Sequence, residues 1–226
     1  MRLYALGVGL AAVLIVFASG CKQVTAPTAG STAAGTITFD ETYGVAPAAG
    51  WKWGVAAIDT DAQEITESSS SHSFAWAVYV VRGSTEIGTA AGTQVLSAGQ
   101  AALVPAGQAH THRFPPQSRV LLFRPADRPF GDFHRGTRLY ESSGQLAVTA
   151  GQTYNLRIRE QTVGAWSPVS GISDTGFAYL LEGAVLARDG AVDTLQGVNS
   201  TFGMLSRMAL LTTAAGSAQV LLVDLH

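Results

Sequence analysis

The chain has 226 residues, of which 47% are hydrophobic and 13% are charged, and its formal net charge is -2. This apolar content is sufficient for a packed core, and the low charge argues against an intrinsically disordered chain. No block of lysine and arginine occurs, so the sequence lacks the electrostatic footprint of a nucleic-acid-binding protein and we expect no nucleic-acid partner.

The N-terminus has the features of an export signal. Arg2 is followed by an apolar run over residues 3–18 and then by two small residues, Ser19 and Gly20. A basic residue, a short apolar core and small residues before a cleavage point are typical of a secretory signal peptide, here residues 1–20. The run is shorter than the roughly 20 apolar residues that span a bilayer, so an uncleaved transmembrane helix is the weaker alternative.

Cys21 is the only cysteine in the sequence. The segment Ala-Ser-Gly-Cys that ends at Cys21 resembles a bacterial lipoprotein box, although the family usually has leucine where this chain has Ala18. The resemblance implies that Cys21 is lipidated and is the first residue of the mature protein. The protein would then be exported to the cell envelope and anchored to the outer membrane or to the outer face of the cytoplasmic membrane. An ordinary signal peptide followed by a chance cysteine is the alternative.

The residues after the cysteine are mostly Thr, Ala, Gly, Ser and Pro, which cannot bury enough apolar surface to fold. Residues 21–36 are therefore predicted to be the lipidated cysteine and a flexible tether. Beyond them, short apolar runs alternate with turn residues, and no clear helical period occurs. This pattern predicts an all-β sandwich or barrel.

The chain also repeats itself at an offset of 100 residues. The segment around Tyr79 recurs around Tyr179, and the run that begins at Val120 recurs at Val220. Two matches at one offset indicate a duplicated unit, with chance similarity between two β-rich segments as the alternative. The junction is expected at residues 126–136, where Pro and Gly are frequent.

The most specific motif lies between Gly99 and His110. A glycine is followed by five residues, Pro-x-Gly, two residues and a histidine. The pattern predicts a glycine turn, a short apolar strand, a tight turn and a second strand, on which His110 and His112 share one face. The spacing resembles the second conserved motif of the cupin family as far as His110, whereas Phe114 replaces the final asparagine of that motif.

The resemblance implies two cupin-like barrels in tandem, each a double-stranded β-helix or jelly roll. Residues 37–125 would form the first barrel, residues 126–136 a linker, and residues 137–226 a degenerate second barrel. The second half has no histidine before His226, so we expect it to be structural and to bind no metal.

The first cupin motif is His-x-His, three or four residues, Glu, six residues and Gly. Gly83 matches the closing glycine, which places Trp76 at the glutamate, His72 at the second histidine and Ser70 at the first. The resemblance thus keeps two of the four metal-ligand positions of the family, His72 and His110, and replaces the other two.

The residues themselves predict a site in the first barrel. On a regular strand that starts at His72, Phe74 and Trp76 share the histidine's face, and His110 and His112 would approach from a neighbouring strand. These five residues are the predicted ligand-binding set. The three imidazoles can hold zinc or another divalent ion with water completing its shell; the alternative is that they are ordinary polar residues at a barrel mouth.

Three functional hypotheses remain open. The first is a lipid-anchored protein that binds a small molecule in the first barrel without chemistry. The second is a metal-dependent cupin enzyme of the dioxygenase or isomerase type, and the third is a structural or interaction lipoprotein without pocket function. The fold does not choose among them. The incomplete metal motif and the predicted export favour the first hypothesis, and we lean against an enzyme.

Overall fold

The computed structural model describes residues 35–127, 136–171, 173–189, 192–204, 209–212 and 216–226. The predicted signal peptide and Cys21 lie outside these ranges. Within them the chain forms strands and turns, which confirms the predicted all-β class, and no helix there is long and apolar enough to cross a membrane. The described strands are β1 (Thr36–Val45), β2 (Lys52–Asp59), β3 (Ile65–Ser70), β4 (Trp76–Arg82), β5 (Ser84–Thr89), β6 (Gly92–Ser97), β7 (Ala101–Val104), β8 (His110–Phe114), β9 (Arg119–Ala126), β10 (Thr137–Glu141), β11 (Thr153–Val163), β12 (Phe177–Glu182), β13 (Ala184–Asp189), β14 (Val192–Gly197), β15 (Thr201–Gly203), β16 (Ala209–Thr212) and β17 (Ala218–Leu225).

The described strands form four antiparallel sheets. Two have five strands each, in the orders β10-β2-β9-β4-β7 and β1-β11-β17-β12-β15. A four-stranded sheet, β3-β8-β5-β6, packs on the first of these, and a three-stranded sheet, β14-β13-β16, packs on the second. Each large sheet and its smaller partner enclose an apolar interior, so the chain forms two barrels in tandem, as the sequence predicts.

Each half also supplies a strand to the large sheet of the other half. Strand β1 pairs with β11, from Thr36 opposite Glu160 to Val45 opposite Thr153. Strand β10, which follows the predicted linker, pairs with β2 of the first barrel. The exchanged strands cover sheet edges that would otherwise be open, and they tie the two barrels together. The predicted division at residues 126–136 stays a prediction, since most of that segment lies outside the described residues.

The two large sheets face each other across a common apolar core. Trp53 lies in edge-to-face contact with Phe177 at 5.0 Å and with Phe123 at 6.3 Å between ring centroids. All three side chains are at most 1% exposed. The indole Nε1 of Trp53 donates a hydrogen bond of 2.9 Å to the carbonyl oxygen of Thr175, so the one polar atom of this side chain is satisfied.

The repeat is visible in the strand register. Tyr79 lies opposite Leu121 in the β4–β9 ladder, and Tyr179 lies opposite Leu221 in the β12–β17 ladder. In both ladders the pairing register then shifts at the equivalent position. A glycine with positive φ follows each shift, with φ of +74° at Gly83. Equivalent residues thus occupy equivalent positions in the two halves, which supports duplication over chance similarity.

We expect the Trp53→Ala variant to lose about 3–5 kcal/mol of unfolding free energy, because it leaves a large cavity between the sheets. Since the exchanged strands join both barrels, denaturant should still unfold the chain in one transition at a lower midpoint. The Val95→Ala variant is the matched control, because Val95 is 60% exposed. Two separate transitions in either variant would contradict the coupling of the barrels.

Candidate functional site

The first barrel has polar side chains buried at one end of its interior. On β8, His110 and His112 point inward and are 2% and 3% exposed, whereas Thr111 and Arg113 point outward. The two histidines therefore share a face, and Phe114 continues that face into the apolar core. The alternation of β8 alone produces this arrangement.

His72 completes a contiguous group of imidazoles. Its ring centroid lies 5.3 Å from that of His110, which lies 4.9 Å from that of His112. The carbonyl oxygen of His72 accepts a 2.7 Å hydrogen bond from the backbone N–H of Gly107, so the Pro-x-Gly turn fixes the segment that carries His72. The predicted strand from His72 is wrong in its bounds: β4 begins at Trp76, and His72 lies in the irregular segment before it.

The hydrogen bonding of His110 defines its tautomer. Its Nδ1 lies 2.9 Å from the carbonyl oxygen of Gln108. Because a carbonyl oxygen only accepts hydrogen bonds, Nδ1 carries the proton and the neutral ring keeps a lone pair on Nε2. This Nε2 is buried and has no hydrogen-bond partner among the described residues. It is therefore suited to accept a hydrogen bond from a ligand.

Aromatic rings form one wall of the same end of the barrel. Phe74 stacks on His72 with a centroid distance of 6.0 Å and an interplanar angle of 6°. Trp76, which is 7% exposed, lies 5.8 Å from Phe74 and 5.6 Å from His72 in edge-to-face contact. The structure thus brings together all five residues of the predicted ligand-binding set.

Two charged residues of this end were missed in the sequence. Arg124 of β9 is 3% exposed, and its Cζ lies 3.5 Å from the Phe74 ring centroid and 4.9 Å from that of Trp76. Glu67 of β3 is 8% exposed and lies opposite His112 in the β3–β8 ladder. The site therefore combines imidazoles and aromatic rings with a buried arginine and a buried glutamate.

A sequence pattern could have identified both charged residues. Arg124 continues the period-two series of Val120 and Leu122, which face the barrel interior. Glu67 stands two positions after Ile65, which packs against the same apolar cluster. A charged residue at a position that the period-two alternation places on a buried face is informative, because charged side chains are rarely buried without a partner.

The residues present do not fit the four-ligand metal centre of the cupin family. Among the described residues, no group of three or more His, Cys, Asp and Glu side chains is arranged to hold a metal ion. At the first replaced ligand position, Ser70 Oγ lies 3.4 Å from His72 Nε2, and at the second Trp76 supplies an indole ring. The guanidinium of Arg124 adds a permanent positive charge beside this wall, which opposes binding of a second cation.

A groove of about 380 Å³ adjoins this end of the barrel and shares Phe74 with it. Its wall includes Tyr43 of β1, whose phenolic oxygen lies 2.9 Å from the carbonyl oxygen of Ala75 and 2.7 Å from that of Pro125. Burial raises the pKa of the Tyr43 phenol, against the opposing effect of the nearby Arg124 charge. The protonated phenol thus ties the exchanged strand to the two segments that carry the aromatic wall and the arginine.

The equivalent end of the second barrel has different chemistry. Asp224, at the position equivalent to Arg124, is 1% exposed. Its carboxylate accepts two hydrogen bonds of 3.0 Å from Arg157, and these bonds raise the pKa of the Arg157 guanidinium. A carboxylate oxygen of Asp224 also lies 3.5 Å from Nη2 of Arg159. The two halves therefore share a scaffold but place opposite charges at this position.

No family model and no curated protein sequence matches this chain. Among solved structures it is similar to AerE from Microcystis aeruginosa, with 10% identity and a TM-score of 0.53 over 77% of this chain and 87% of that chain. It is also similar to a point mutant of the oxalate decarboxylase OxdC from Bacillus subtilis, with 12% identity and a TM-score of 0.50 over 77% of this chain and 69% of that chain. A cupin 2 conserved barrel domain protein from Leptotrichia buccalis has 9% identity and a TM-score of 0.47, over 85% and 92% of the two chains.

At such low identities these likenesses concern the fold alone. The fold is that of two cupin-like β-barrels in tandem, as the Pro-x-Gly motif and the 100-residue repeat together predict. Cupin-like barrels host unrelated functions, so the function has to be argued from the side chains of this chain.

We expect His110 to be the Nδ1–H tautomer when neutral, because Nδ1 is held by the Gln108 carbonyl. Long-range ¹H–¹⁵N correlation spectra of the imidazoles should give Nδ1 the shift of a protonated nitrogen and Nε2 that of an unprotonated one. His226, which is exposed near Asp40, provides a comparison in the same spectrum. The reversed assignment for His110 would remove the predicted hydrogen-bond acceptor from the site.

Proposed function

We propose that this protein binds a small organic molecule at the polar end of the first barrel, without catalysing a reaction on it. One observation carries the proposal: the buried lone pair of His110 Nε2 lies in a cluster of rings formed with His72 and Trp76. An apolar pocket with a few convergent polar groups is the usual form of a small-molecule site.

The proposed roles follow from the chemistry of each group. Trp76 offers an indole ring against which a flat apolar part of a ligand can pack, and such aromatic contacts contribute about 0.5–1.5 kcal/mol beyond the buried area. His110 accepts a hydrogen bond from a hydroxyl or amine of the ligand. The adjoining groove, at about 380 Å³, is within the size range of ligand pockets and offers a way in beside Phe74.

A metal-dependent enzyme is the less well supported alternative. The Nδ1–H bond of His110 to a carbonyl is an arrangement that metal-ligating histidines also use. The replaced ligand positions and the charge of Arg124 argue against a bound divalent ion. We therefore place ligand binding first, and derive no reaction step through a metal.

Loss of the Trp76 side chain should weaken binding. In a ligand-observed NMR survey of small planar and aliphatic fragments, we expect bound fragments to lose at least about tenfold in affinity in the Trp76→Ala variant, which equals about 1.4 kcal/mol. Trp166→Ala is the matched control, because Trp166 is 48% exposed and lies in the second half. If no fragment binds the wild-type protein, or if both variants bind equally well, the proposal fails.

Elemental analysis of the same preparations separates binding from metal-dependent chemistry. A stoichiometric metal that disappears in a His72→Ala and His110→Ala double variant would replace the binding proposal by the enzyme hypothesis. Metal below stoichiometry in both proteins, together with fragment binding that depends on Trp76, supports the binding protein.

We also propose that the protein is exported and held at a membrane through a lipidated Cys21. The support is the apolar run, the Ala-Ser-Gly-Cys segment and the polar tether that follows it. A lipid anchor would keep the barrels at the membrane surface, on the side to which the signal peptide directs them.

The Cys21→Ser variant should move from the membrane fraction to the soluble fraction, because the sequence has no other cysteine to which the lipid could be attached. Cells expressing the Lys22→Ala variant serve as the control, in which the protein should stay with the membrane. If the Cys21→Ser protein remains membrane-bound, residues 3–18 act as an uncleaved anchor and lipidation is not what holds the protein.

A further inference from the structure

The turn that follows β11 presents a tryptophan to solvent. Trp166 is 48% exposed, whereas the other three tryptophans of the chain are at most 7% exposed. The backbone N–H of Ser167 donates a hydrogen bond of 3.1 Å to the carbonyl oxygen of Gly164 and closes the turn. We refer to residues 164–167 as the Trp166 turn.

The Trp166 turn is fastened to the second barrel on both sides. Val163 and Val169 flank it, belong to the apolar core of that barrel, and are 2% and 5% exposed. The side-chain amide of Gln161 accepts a hydrogen bond from the backbone N–H of Ser170 and donates one to the Ser170 hydroxyl oxygen. The indole therefore projects from a fixed base, and its exposure is not a result of loose packing.

Neither the backbone nor the scaffold favours a tryptophan at this position. Trp166 has φ of +57°, in the left-handed region where glycine and asparagine are preferred and a bulky side chain is an outlier. The β2–β9 and β11–β17 registers align Gln161 with Ile58. At the position equivalent to Trp166, the first half therefore has the polar and exposed Gln63. Since a glutamine serves in the same turn of the same scaffold, the fold does not require the indole.

The segment around the Trp166 turn has no charge. No Lys, Arg, Asp or Glu occurs between Glu160 and Asp174, whereas the corresponding turn of the first half has Asp61 and Glu64. An uncharged turn can enter the headgroup region of a bilayer without the desolvation of an ion. Tryptophan is enriched at this depth, because its ring is apolar and its N–H can still reach polar groups.

The predicted tether reaches the barrels at the same end of the sheet. Strand β1 runs antiparallel to β11, and Gly35 lies against Gln161, near the point at which β11 enters the turn. Residues 22–34 link Cys21 to this point and reach at most about 50 Å when fully extended. A lipid on Cys21 would therefore keep this end of the second barrel close to the bilayer.

Two further exposed apolar side chains lie at this end. Ile37, near the start of β1, is 55% exposed. Val198 is 51% exposed and precedes Asn199, whose backbone N–H donates to the carbonyl oxygen of Leu180 near the end of β12. Strands β11 and β12 both run antiparallel to β17 and end opposite its first residues, so the two side chains lie on either side of the turn.

We propose that the Trp166 turn rests on the surface of a lipid bilayer, with its indole at the level of the headgroups and with Ile37 and Val198 beside it. A contact of this size is weak for a free protein, because interfacial binding scales with the buried apolar area. The tether makes the contact intramolecular, and the resulting high effective concentration lets a weak contact form. This inference rests on the proposed anchoring through Cys21.

The test uses the tryptophan emission of the lipid-anchored protein in phosphatidylcholine vesicles. Because the other tryptophans are buried, the emission that iodide quenches in solution comes from Trp166. On vesicles we expect the iodide quenching to be lost, and we expect lipids brominated near the headgroup end of their acyl chains to quench this emission instead. Trp166→Gln, which copies the first half, should show neither response.

The matched control is the double variant Trp166→Gln and Val45→Trp. Val45 is 58% exposed at the other end of β1, opposite Thr153. The indole at this position should stay accessible to iodide on vesicles and should not be quenched by brominated lipid. Equal protection of this indole would mean that the vesicle covers both ends of the sheet, which contradicts the proposed contact.

Two other results overturn the inference. One is a Trp166 that stays open to iodide on vesicles or is not quenched by brominated lipid. The other is protection without vesicles that increases with protein concentration, because a second copy of the chain then covers the turn. Mass spectrometry of the N-terminal peptide establishes separately whether Cys21 is lipidated. If it is not, the anchoring proposal fails, and coupling the Cys21 thiol to a maleimide phospholipid in the vesicles supplies the tether for the same measurement.

Discussion

The face-to-face packing of the two five-stranded sheets is the constraint on which the rest of the structure depends. Strands of these sheets are buried on both faces, so β2 and β9 are almost continuously buried. One face of β9 meets the opposite sheet through Leu121 and Phe123, and the other face lines the first barrel. A charged residue on such a strand cannot turn to solvent. Arg124 is therefore placed in the barrel interior by the same alternation that packs the sheets.

The duplicated scaffold lets two barrel interiors differ without changing the core between them. In the second barrel, Asp224 and Arg157 neutralise each other through two hydrogen bonds. In the first, the guanidinium of Arg124 lies over the ring of Phe74. Residues of opposite charge at one equivalent position therefore distinguish the interiors of the two barrels.

Local motifs explain which parts of the fold could be predicted. The glycine turn and the Pro-x-Gly turn occur as predicted, with φ of +81° at Gly99 and +77° at Gly107, and they define β7, β8 and the shared face of His110 and His112. The predicted strand from His72 failed, because hydrogen bonding to Gly107 holds the His72 segment in an irregular conformation. The exchange of β1 and β10 between the halves was not predicted, since pairing between strands 80 or more residues apart in sequence, such as Thr137 opposite Ala57, leaves no short-range pattern.

By itself, the sequence determined the all-β class and the repeat. It also determined the turn that precedes the strand with the two inward-facing histidines, and it indicated which five residues lie at one end of the first barrel. These features depend on the period of apolar residues, on motif spacing and on turn chemistry. The tertiary structure decided which of these side chains touch, and it added Arg124 and Glu67 to them. It also decided that Tyr43, from a strand of the other sheet, secures the segments around them. Such contacts join strands that are distant in sequence, and only the closing of the sheets around a common core brings them together.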